Sequence, residues 1–178
     1  DAMHSAFNSA GQRCSALRVL CIQQSLYADI ERLLLGAMEH WETVEPWELV
    51  SDCGPVIDED AYKALEGYIA QRRDAGQLLY QSSIPQSANG YFISPSLIRL
   101  SRINELEQEW FGPILHIYAY QADELPQLIE QINGLGYGLT LGIHTRNMQT
   151  AHTIERLACV GNTYVNRNQV GAVVGVQP

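Results

Sequence analysis

A cysteine preceded by small residues and a glycine is the first feature of this chain that could do chemistry. Cys14 lies in the segment FNSAGQRCSALRV, residues 7–19, and an apolar run follows it directly. A cysteine on a tight loop before a buried strand can be presented to a cleft by a rigid scaffold, where its thiolate would act as a nucleophile. Composition alone favours the ordinary alternative, a small buried side chain. No histidine partner is obvious beside Cys14, so the segment does not indicate a cysteine–histidine hydrolase.

The other cysteines and the five histidines lack the spacing of a metal site. Cys21, Cys53 and Cys159 are scattered without a CxxC pair. Tetrahedral zinc usually takes two ligands from one tight turn, so we predict no metal. Residues 1–4 show no secretory signal, so reduced thiols in a cytoplasmic setting are expected. Cys21, within an apolar strand, and Cys159, near a helix end, are expected to be structural, whereas Cys53 is expected to be exposed in a loop.

The composition is that of a folded domain. The chain has 178 residues, is 46% hydrophobic and carries a formal charge of −9. This length suits one domain, and the acidic balance argues against a nucleic-acid partner, which would require clustered lysine and arginine. The longest apolar runs, residues 16–22 and 114–120, have the length of strands and are interrupted by Arg18 and His116, so no membrane-spanning helix is predicted.

The apolar pattern alternates between strands and helices, which predicts an α/β domain with a mostly parallel sheet. Ser25 is predicted to cap one helix, and Asp58 to cap another that Gly76 ends. The predicted strands cover residues 17–22, 114–120, 139–144 and 162–166, and the predicted helices cover residues 26–37, 58–76, 125–132 and 147–158.

The remaining segments have the composition of connections. Residues 41–55 are rich in proline, glutamate and tryptophan and are expected to cross the surface. Residues 82–90 form a polar loop before a short extended segment at 91–93. Residues 171–178, GAVVGVQP, are apolar and glycine-rich without a closing helix, so we expect the chain to be part of a longer polypeptide.

Four blocks of the sequence resemble, in order, the motifs of the aldehyde dehydrogenase family. They are GQRC at 11–14, EWFGP at 109–113, GYGLTLGIHTRN at 136–147 and GNTYVNRN at 161–168. Together they cover almost the whole chain. The resemblance implies that residues 1–178 are the cysteine-bearing catalytic domain of such an enzyme, with a mostly parallel sheet flanked by helices.

A finer resemblance is to the pyrroline-5-carboxylate dehydrogenases, and especially to the bifunctional proline utilization A proteins. It is carried by SAGQRCSALRVL at 9–20, GPVIDEDA at 54–61, LPQLIEQIN at 125–133 and NTYVNRNQVGAVVGVQP at 162–178. This resemblance implies oxidation of L-glutamate γ-semialdehyde to glutamate with NAD, in proline catabolism. It also implies a proline dehydrogenase domain with FAD elsewhere in the parent protein.

The resemblance assigns roles to single residues. Cys14 would be the nucleophile, and its backbone N–H one donor to the oxyanion. Glu109 would accept hydrogen bonds from the nicotinamide ribose, and Phe111 would pack near the nicotinamide. Ser15 and the Gly171–Ala172 backbone would hold the α-carboxylate of the substrate, as consecutive N–H groups suit an anion. Without the resemblance, Glu109 would be interpreted as a solvated charge and Gly171–Ala172 as an ordinary turn.

The resemblance also implies what lies outside the chain. The family binds NAD in a separate Rossmann-like domain that precedes the cysteine, so residues 1–178 alone are expected to fold without oxidising aldehydes. The parent is expected to be a cytoplasmic homo-oligomer that associates peripherally with the membrane. The alternatives are an aldehyde dehydrogenase for another substrate, a non-catalytic aldehyde-dehydrogenase-like assembly domain and, more distantly, a cysteine hydrolase.

Overall fold

The computed structural model describes residues 1–84 and 89–171, which form helices and strands in alternation. The helices are α1 (Ala2–Phe7), α2 (Tyr27–Met38), α3 (Glu59–Asp74), α4 (Leu125–Gly134) and α5 (Met148–Leu157). The strands are β1 (Val19–Gln23), β2 (Leu78–Gln81), β3 (Ser96–Arg99), β4 (Ile114–Tyr120), β5 (Thr140–Ile143) and β6 (Asn162–Val165).

The described strands form two sheets. The larger sheet has the order β1-β4-β3-β2, and the smaller one pairs β5 with β6. β4 runs parallel to both β1 and β3, and β5 runs parallel to β6, while β2 and β3 are antiparallel. The predicted α/β class with a mostly parallel sheet is therefore confirmed, with one antiparallel edge strand.

Helices cover both faces of the larger sheet. On one face, α3 packs against side chains such as Ile98 and Ile114. On the other face, α1 and α2 pack against Leu97, Leu115 and Ile117. A strand buried on both faces is expected to be apolar at successive positions rather than at alternate ones, which explains the continuous apolar run of β4.

Local helix signals were correct at α3 and wrong at α2. The Asp58 carboxylate accepts a hydrogen bond from the Ala61 N–H at 2.8 Å, as predicted for a cap, and Gly76 follows the helix with φ +70°. Ser25 is not a cap: α2 begins at Tyr27, after a 3-10 turn over Gln24–Leu26, and has no side-chain cap. The chain therefore enters α2 through a 3-10 turn, without a hydroxyl group that caps the helix.

Other predictions depended on contacts that the local sequence does not reveal. The strands β2 and β3 were not predicted, and the expected extended segment at 91–93 does not join a sheet. The 41–55 connection is not entirely superficial, because Thr43 and Cys53 are buried and form an isolated parallel bridge. Over residues 1–84 and 89–171, every helix is too short or too polar to span a bilayer.

Candidate active site

Cys14 is exposed in the loop between α1 and β1, and the backbone before it is unusual. Ser9, Ala10 and Gly11 have φ values of 57°, 52° and 65°, three successive residues in the left-handed region. Non-glycine residues seldom adopt this conformation, and each costs on the order of 1–2 kcal/mol unless neighbouring structure holds it. The loop must therefore be restrained by its surroundings.

Gly11 brings this loop into direct contact with the second motif block. A Cβ atom at this position would overlap the carbonyl oxygen of Gly112 and would lie 2.9 Å from the carbonyl oxygen of Ala6. Only glycine combines this close approach with a positive φ. The two motifs, almost a hundred residues apart in sequence, are thus held together at Gly11 and Gly112.

Side-chain hydrogen bonds restrain the loop further. The Gln12 amide oxygen accepts a hydrogen bond from the Ile57 N–H at 2.8 Å, and its nitrogen donates to the Pro55 carbonyl at 3.3 Å. Arg13 Nε donates to Ser9 Oγ at 2.9 Å. These bonds fix the residues on the N-terminal side of Cys14 while the cysteine itself keeps its exposure.

Cys14 and Glu109 line the same cleft, which has a volume of about 870 Å³. The cleft lies between β1 and β5, and Thr140 and Gln169 line it as well. Glu109 is half-buried, and Phe111 remains 43% exposed. A carboxylate can accept hydrogen bonds from hydroxyl groups, and an exposed aromatic ring offers an apolar surface, which are the properties that the roles expected of Glu109 and Phe111 require. Phe111 itself does not line the cleft.

The residues assigned to the substrate carboxylate lie partly within the described structure. Ser15 is half-buried, and its hydroxyl has no partner among the described residues, which leaves it free to donate a hydrogen bond. Gly171 is half-buried, and its carbonyl accepts from Arg167 Nη2 at 3.3 Å. Arg13 Nη1 reaches the Val170 carbonyl at 3.5 Å, which places the segment before Gly171 beside the cysteine loop. Ala172 lies outside the described residues.

Sequence reasoning missed Gln169, a buried side chain that supports Ser15. Its amide nitrogen donates to the Ser15 carbonyl at 3.2 Å and to Thr140 Oγ1 at 3.3 Å, and its backbone N–H donates to Ser5 Oγ at 3.1 Å. No local pattern marks this role, because its partners are far away in sequence.

Arg18 was also missed, although it interrupts an apolar run and so left a signal. Its guanidinium donates to the Gly11 carbonyl at 2.7 Å and to the Arg13 carbonyl at 3.1 Å. The same guanidinium lies 4.7 Å from the centre of the Phe111 ring. A half-buried arginine just before a strand needs such partners, since a buried charge without partners is costly.

The remaining thiols differ from Cys14 in exposure or in position, although Cys21 also lines the cleft. Burial raises the pKa of Cys21 to about 12 and that of Cys53 to about 12, so both are protonated at neutral pH. The expectation that Cys53 is exposed was wrong, because it is only 2% exposed. Cys159, expected to be structural, is exposed and does not line the cleft. Across residues 1–84 and 89–171, no three histidine, cysteine or carboxylate side chains come together to hold a metal.

Comparisons with known proteins identify the family of this chain. The family model described as "Aldehyde dehydrogenase family" matches residues 1–178. The bifunctional protein PutA of Escherichia coli is 48% identical over 100% of this chain, which covers 14% of that protein. The 1-pyrroline-5-carboxylate dehydrogenase 1 of Halalkalibacterium halodurans is 31% identical over 98% of this chain, which covers 34% of that protein.

A crystal structure of a proline utilization A variant from Bradyrhizobium japonicum superposes with a TM-score of 0.95 at 40% identity. The match covers 99% of this chain and 18% of that one. The chain therefore spans about one seventh of the length of the bifunctional relatives, and its whole length falls within one family model. With its fold and its motifs in agreement, the chain belongs to the aldehyde dehydrogenase family.

Proposed function

We propose that this domain oxidises L-glutamate γ-semialdehyde to glutamate with NAD, with Cys14 as the nucleophile, as part of a bifunctional protein of proline catabolism. The observation that carries the proposal is that Cys14 is exposed and shares one cleft with Glu109. The relatives support the substrate, because their names specify PutA and pyrroline-5-carboxylate dehydrogenase.

The reaction begins at Cys14. Its thiolate attacks the aldehyde carbon, the C=O double bond opens to an oxyanion, and a thiohemiacetal forms. The backbone N–H of Cys14 would donate a hydrogen bond to that oxyanion. NAD, when bound, supplies the acceptor for the hydride that leaves this carbon. The thioester that remains on Cys14 reacts with water, which releases the carboxylic acid and restores the thiol.

Glu109 and Phe111 orient the dinucleotide, and two further groups orient the substrate. The Ser15 hydroxyl and the backbone at Gly171 and Ala172 would bind the α-carboxylate, which distinguishes the semialdehyde from simple aldehydes. Hydrogen bonds to a charged group are the stronger ones in proteins, so such an anchor discriminates well. Its position beside Cys14 in sequence would set the distance between the carboxylate and the reacting carbon.

The domain would work within a longer protein. Since the chain spans 14% of the bifunctional relatives, we propose that a Rossmann-like domain elsewhere in that protein holds most of the NAD. An FAD-dependent proline dehydrogenase domain would supply the substrate from proline. We further propose that the protein is a cytoplasmic homo-oligomer with peripheral membrane association.

The substrate assignment is tested by Ser15→Ala in the full-length protein. Losing one hydrogen bond to a charged group costs roughly 1.5–3 kcal/mol, so the preference for the semialdehyde over an aldehyde without a carboxylate should fall about ten- to a hundredfold. The measurement is kcat/KM for both aldehydes. Ser101→Ala, at an exposed serine, is the matched control and should leave the preference unchanged. Equal losses on both aldehydes would remove Ser15 from the anchor and favour another aldehyde as substrate.

A further inference from the structure

Five residues form a closed circuit behind the cysteine loop, through hydrogen bonds, ring contacts and one chain neighbour. The Arg18 carbonyl lies 2.8 Å from His116 Nδ1, and His116 Nε2 lies 2.8 Å from the Tyr68 hydroxyl. The Tyr68 ring stacks on Trp110 with centroids 4.1 Å apart. Trp110 precedes Phe111, and the Arg18 guanidinium lies over the Phe111 ring at 4.7 Å, which closes the circuit.

The hydrogen bonds in this circuit have a single consistent direction. A carbonyl oxygen can only accept, so His116 Nδ1 must carry a proton and donate it to Arg18. In the neutral imidazole, Nε2 then accepts from the Tyr68 hydroxyl. His116 is fully buried, and burial lowers its pKa to about 4, which keeps the imidazole neutral at physiological pH. The arrangement is therefore fixed rather than switching near pH 7.

The guanidinium of Arg18 connects the two motif blocks directly. It donates to the carbonyls of Gly11 and Arg13 on the loop that carries Cys14, and it stacks on Phe111. Burial lowers the pKa of Arg18, and Glu109 and Cys14 oppose this shift, so both side chains lie close enough to interact electrostatically with the guanidinium. The Arg18 guanidinium thus contacts both the loop that carries Cys14 and the segment expected to bind NAD.

The geometry points to Arg18 as a positioning residue that couples the Cys14 loop to the Glu109–Phe111 block, with His116 and Tyr68 fixing the Arg18 backbone. This inference rests on the proposed function, because it assigns Arg18 a task only where Cys14 and Glu109 act together. Three consecutive left-handed residues need an external restraint, and the two carbonyl bonds from Arg18 provide it.

Lysine could not perform this task. The planar guanidinium donates from two nitrogens while its face covers an aromatic ring, whereas an ammonium is a point charge without that fork. If Arg18 were only structural, replacing it with lysine would lower the stability of the protein without changing how Cys14 responds to substitutions at Phe111. A coupling residue would instead transmit a change at Phe111 to the reactivity of Cys14.

The test is a double-mutant cycle in the intact protein, read by the rate at which iodoacetamide modifies Cys14. Phe111→Leu should slow that reaction about threefold, in line with loss of a cation–π contact. Arg18→Met should slow it about tenfold, as loss of hydrogen bonds from a charged group would. In the double variant, Phe111→Leu should have no additional effect, and Arg18→Lys should recover less than half of the lost rate.

Arg99→Met is the matched control, because Arg99 also lies over a tyrosine ring, Tyr27 at 5.8 Å, and pairs with Glu31 at 2.9 Å. It should leave Cys14 modification unchanged, and Cys159 modification should stay constant in every variant. Independent, multiplicative effects of Arg18→Met and Phe111→Leu would overturn the coupling, as would full recovery with lysine. Because the readout needs neither aldehyde nor NAD, a wrong substrate assignment would not disturb it.

Discussion

Two loops of this domain each carry an exposed cysteine between a helix and a strand, yet they differ in what surrounds the thiol. Cys14 follows α1 and precedes β1, and Cys159 follows α5 and precedes β6. The Cys14 loop lines the cleft, has left-handed backbone and is held by the Arg18 guanidinium. The Cys159 N–H donates to Asn133 Oδ1 at 2.8 Å, and the cysteine lies outside the cleft.

The comparison teaches that an exposed cysteine on a helix-to-strand loop is not by itself a nucleophile. A catalytic thiolate needs a nearby positive charge, a fixed backbone and space for a substrate. The first loop has all three, in Arg18, in the Gly11–Gly112 contact and in the cleft that Glu109 shares. If this difference in surroundings determines the function, matched substitutions in the two loops should have unequal effects.

The largest expected difference between the two loops is in turnover. Cys14→Ala in the full-length protein should reduce semialdehyde oxidation roughly 10⁴-fold or more, as removal of a covalent nucleophile does. Cys159→Ala should change kcat/KM by less than about twofold, as substitutions remote from a site usually do. The measurement is NADH absorbance with purified variants. Comparable losses in both variants would mean that the two loops do not differ in function.

The next largest effect concerns the backbone of the first loop. Gly11→Ala should lower the free energy of unfolding by about 4 kcal/mol, because the new methyl group would meet Gly112 at a positive φ. Gly76→Ala is the matched control: its φ is +70°, but nothing lies within 4 Å of the added carbon, so about 1 kcal/mol is expected. Urea unfolding measures both values. Similar losses would show that backbone conformation alone, without the contact, accounts for the glycine.

A smaller effect should come from His116, which stands behind the first loop. Its pKa is lowered from 6.5 to about 4, mainly by burial, with the charges of Arg72 and Arg18 adding to that effect. The folded state therefore binds fewer protons than the unfolded one, so stability is full above pH 6.5 and falls as the pH drops towards 4. The loss at pH 4 should be about 3 kcal/mol, at 1.36 kcal/mol for each pKa unit.

The pH dependence is measured by urea unfolding between pH 7 and pH 4. The slope of the unfolding free energy against pH reports how many more protons the unfolded state binds. His116→Asn should reduce this difference by about one proton, whereas His152→Asn, at an exposed position on α5, should leave it unchanged. An NMR titration of the His116 ring supplies a second reading that does not depend on the variant's stability. A normal histidine titration near pH 6.5 would contradict the buried ring.

Much of the fold could be predicted from the sequence, because several elements carry local signals. The Asp58 cap and the apolar run of β4 depend on neighbouring residues, and both predictions agree with the structure. β2 and β3 have four residues each and an antiparallel pairing across an intervening loop, so local periodicity could not mark them. Cys53 is buried in the core beside α3 and forms a bridge with Thr43, and sequence spacing reveals neither contact.

The candidate site shows the same division. Cys14, Ser15 and Glu109 were predicted because they stand in motif blocks that can be read along the chain. Arg18 and His116 were noticed only as interruptions of apolar runs. The proposed role depends on contacts between residues 48 to 98 positions apart, among Arg18, His116, Tyr68 and Phe111. Such a circuit is a property of the packed structure and has no local pattern.

The most direct test of the central claim is brief alkylation of the four cysteines at pH 7, followed by mass spectrometry of the peptides. Cys14 should react faster than Cys159, because its loop is held in a fixed conformation and presents the thiol to the cleft. Cys21 and Cys53 should react slowest, since burial raises the pKa of each to about 12. Modification of Cys159 as fast as Cys14, or preferential modification of Cys21, would contradict the assignment of Cys14 as the presented nucleophile.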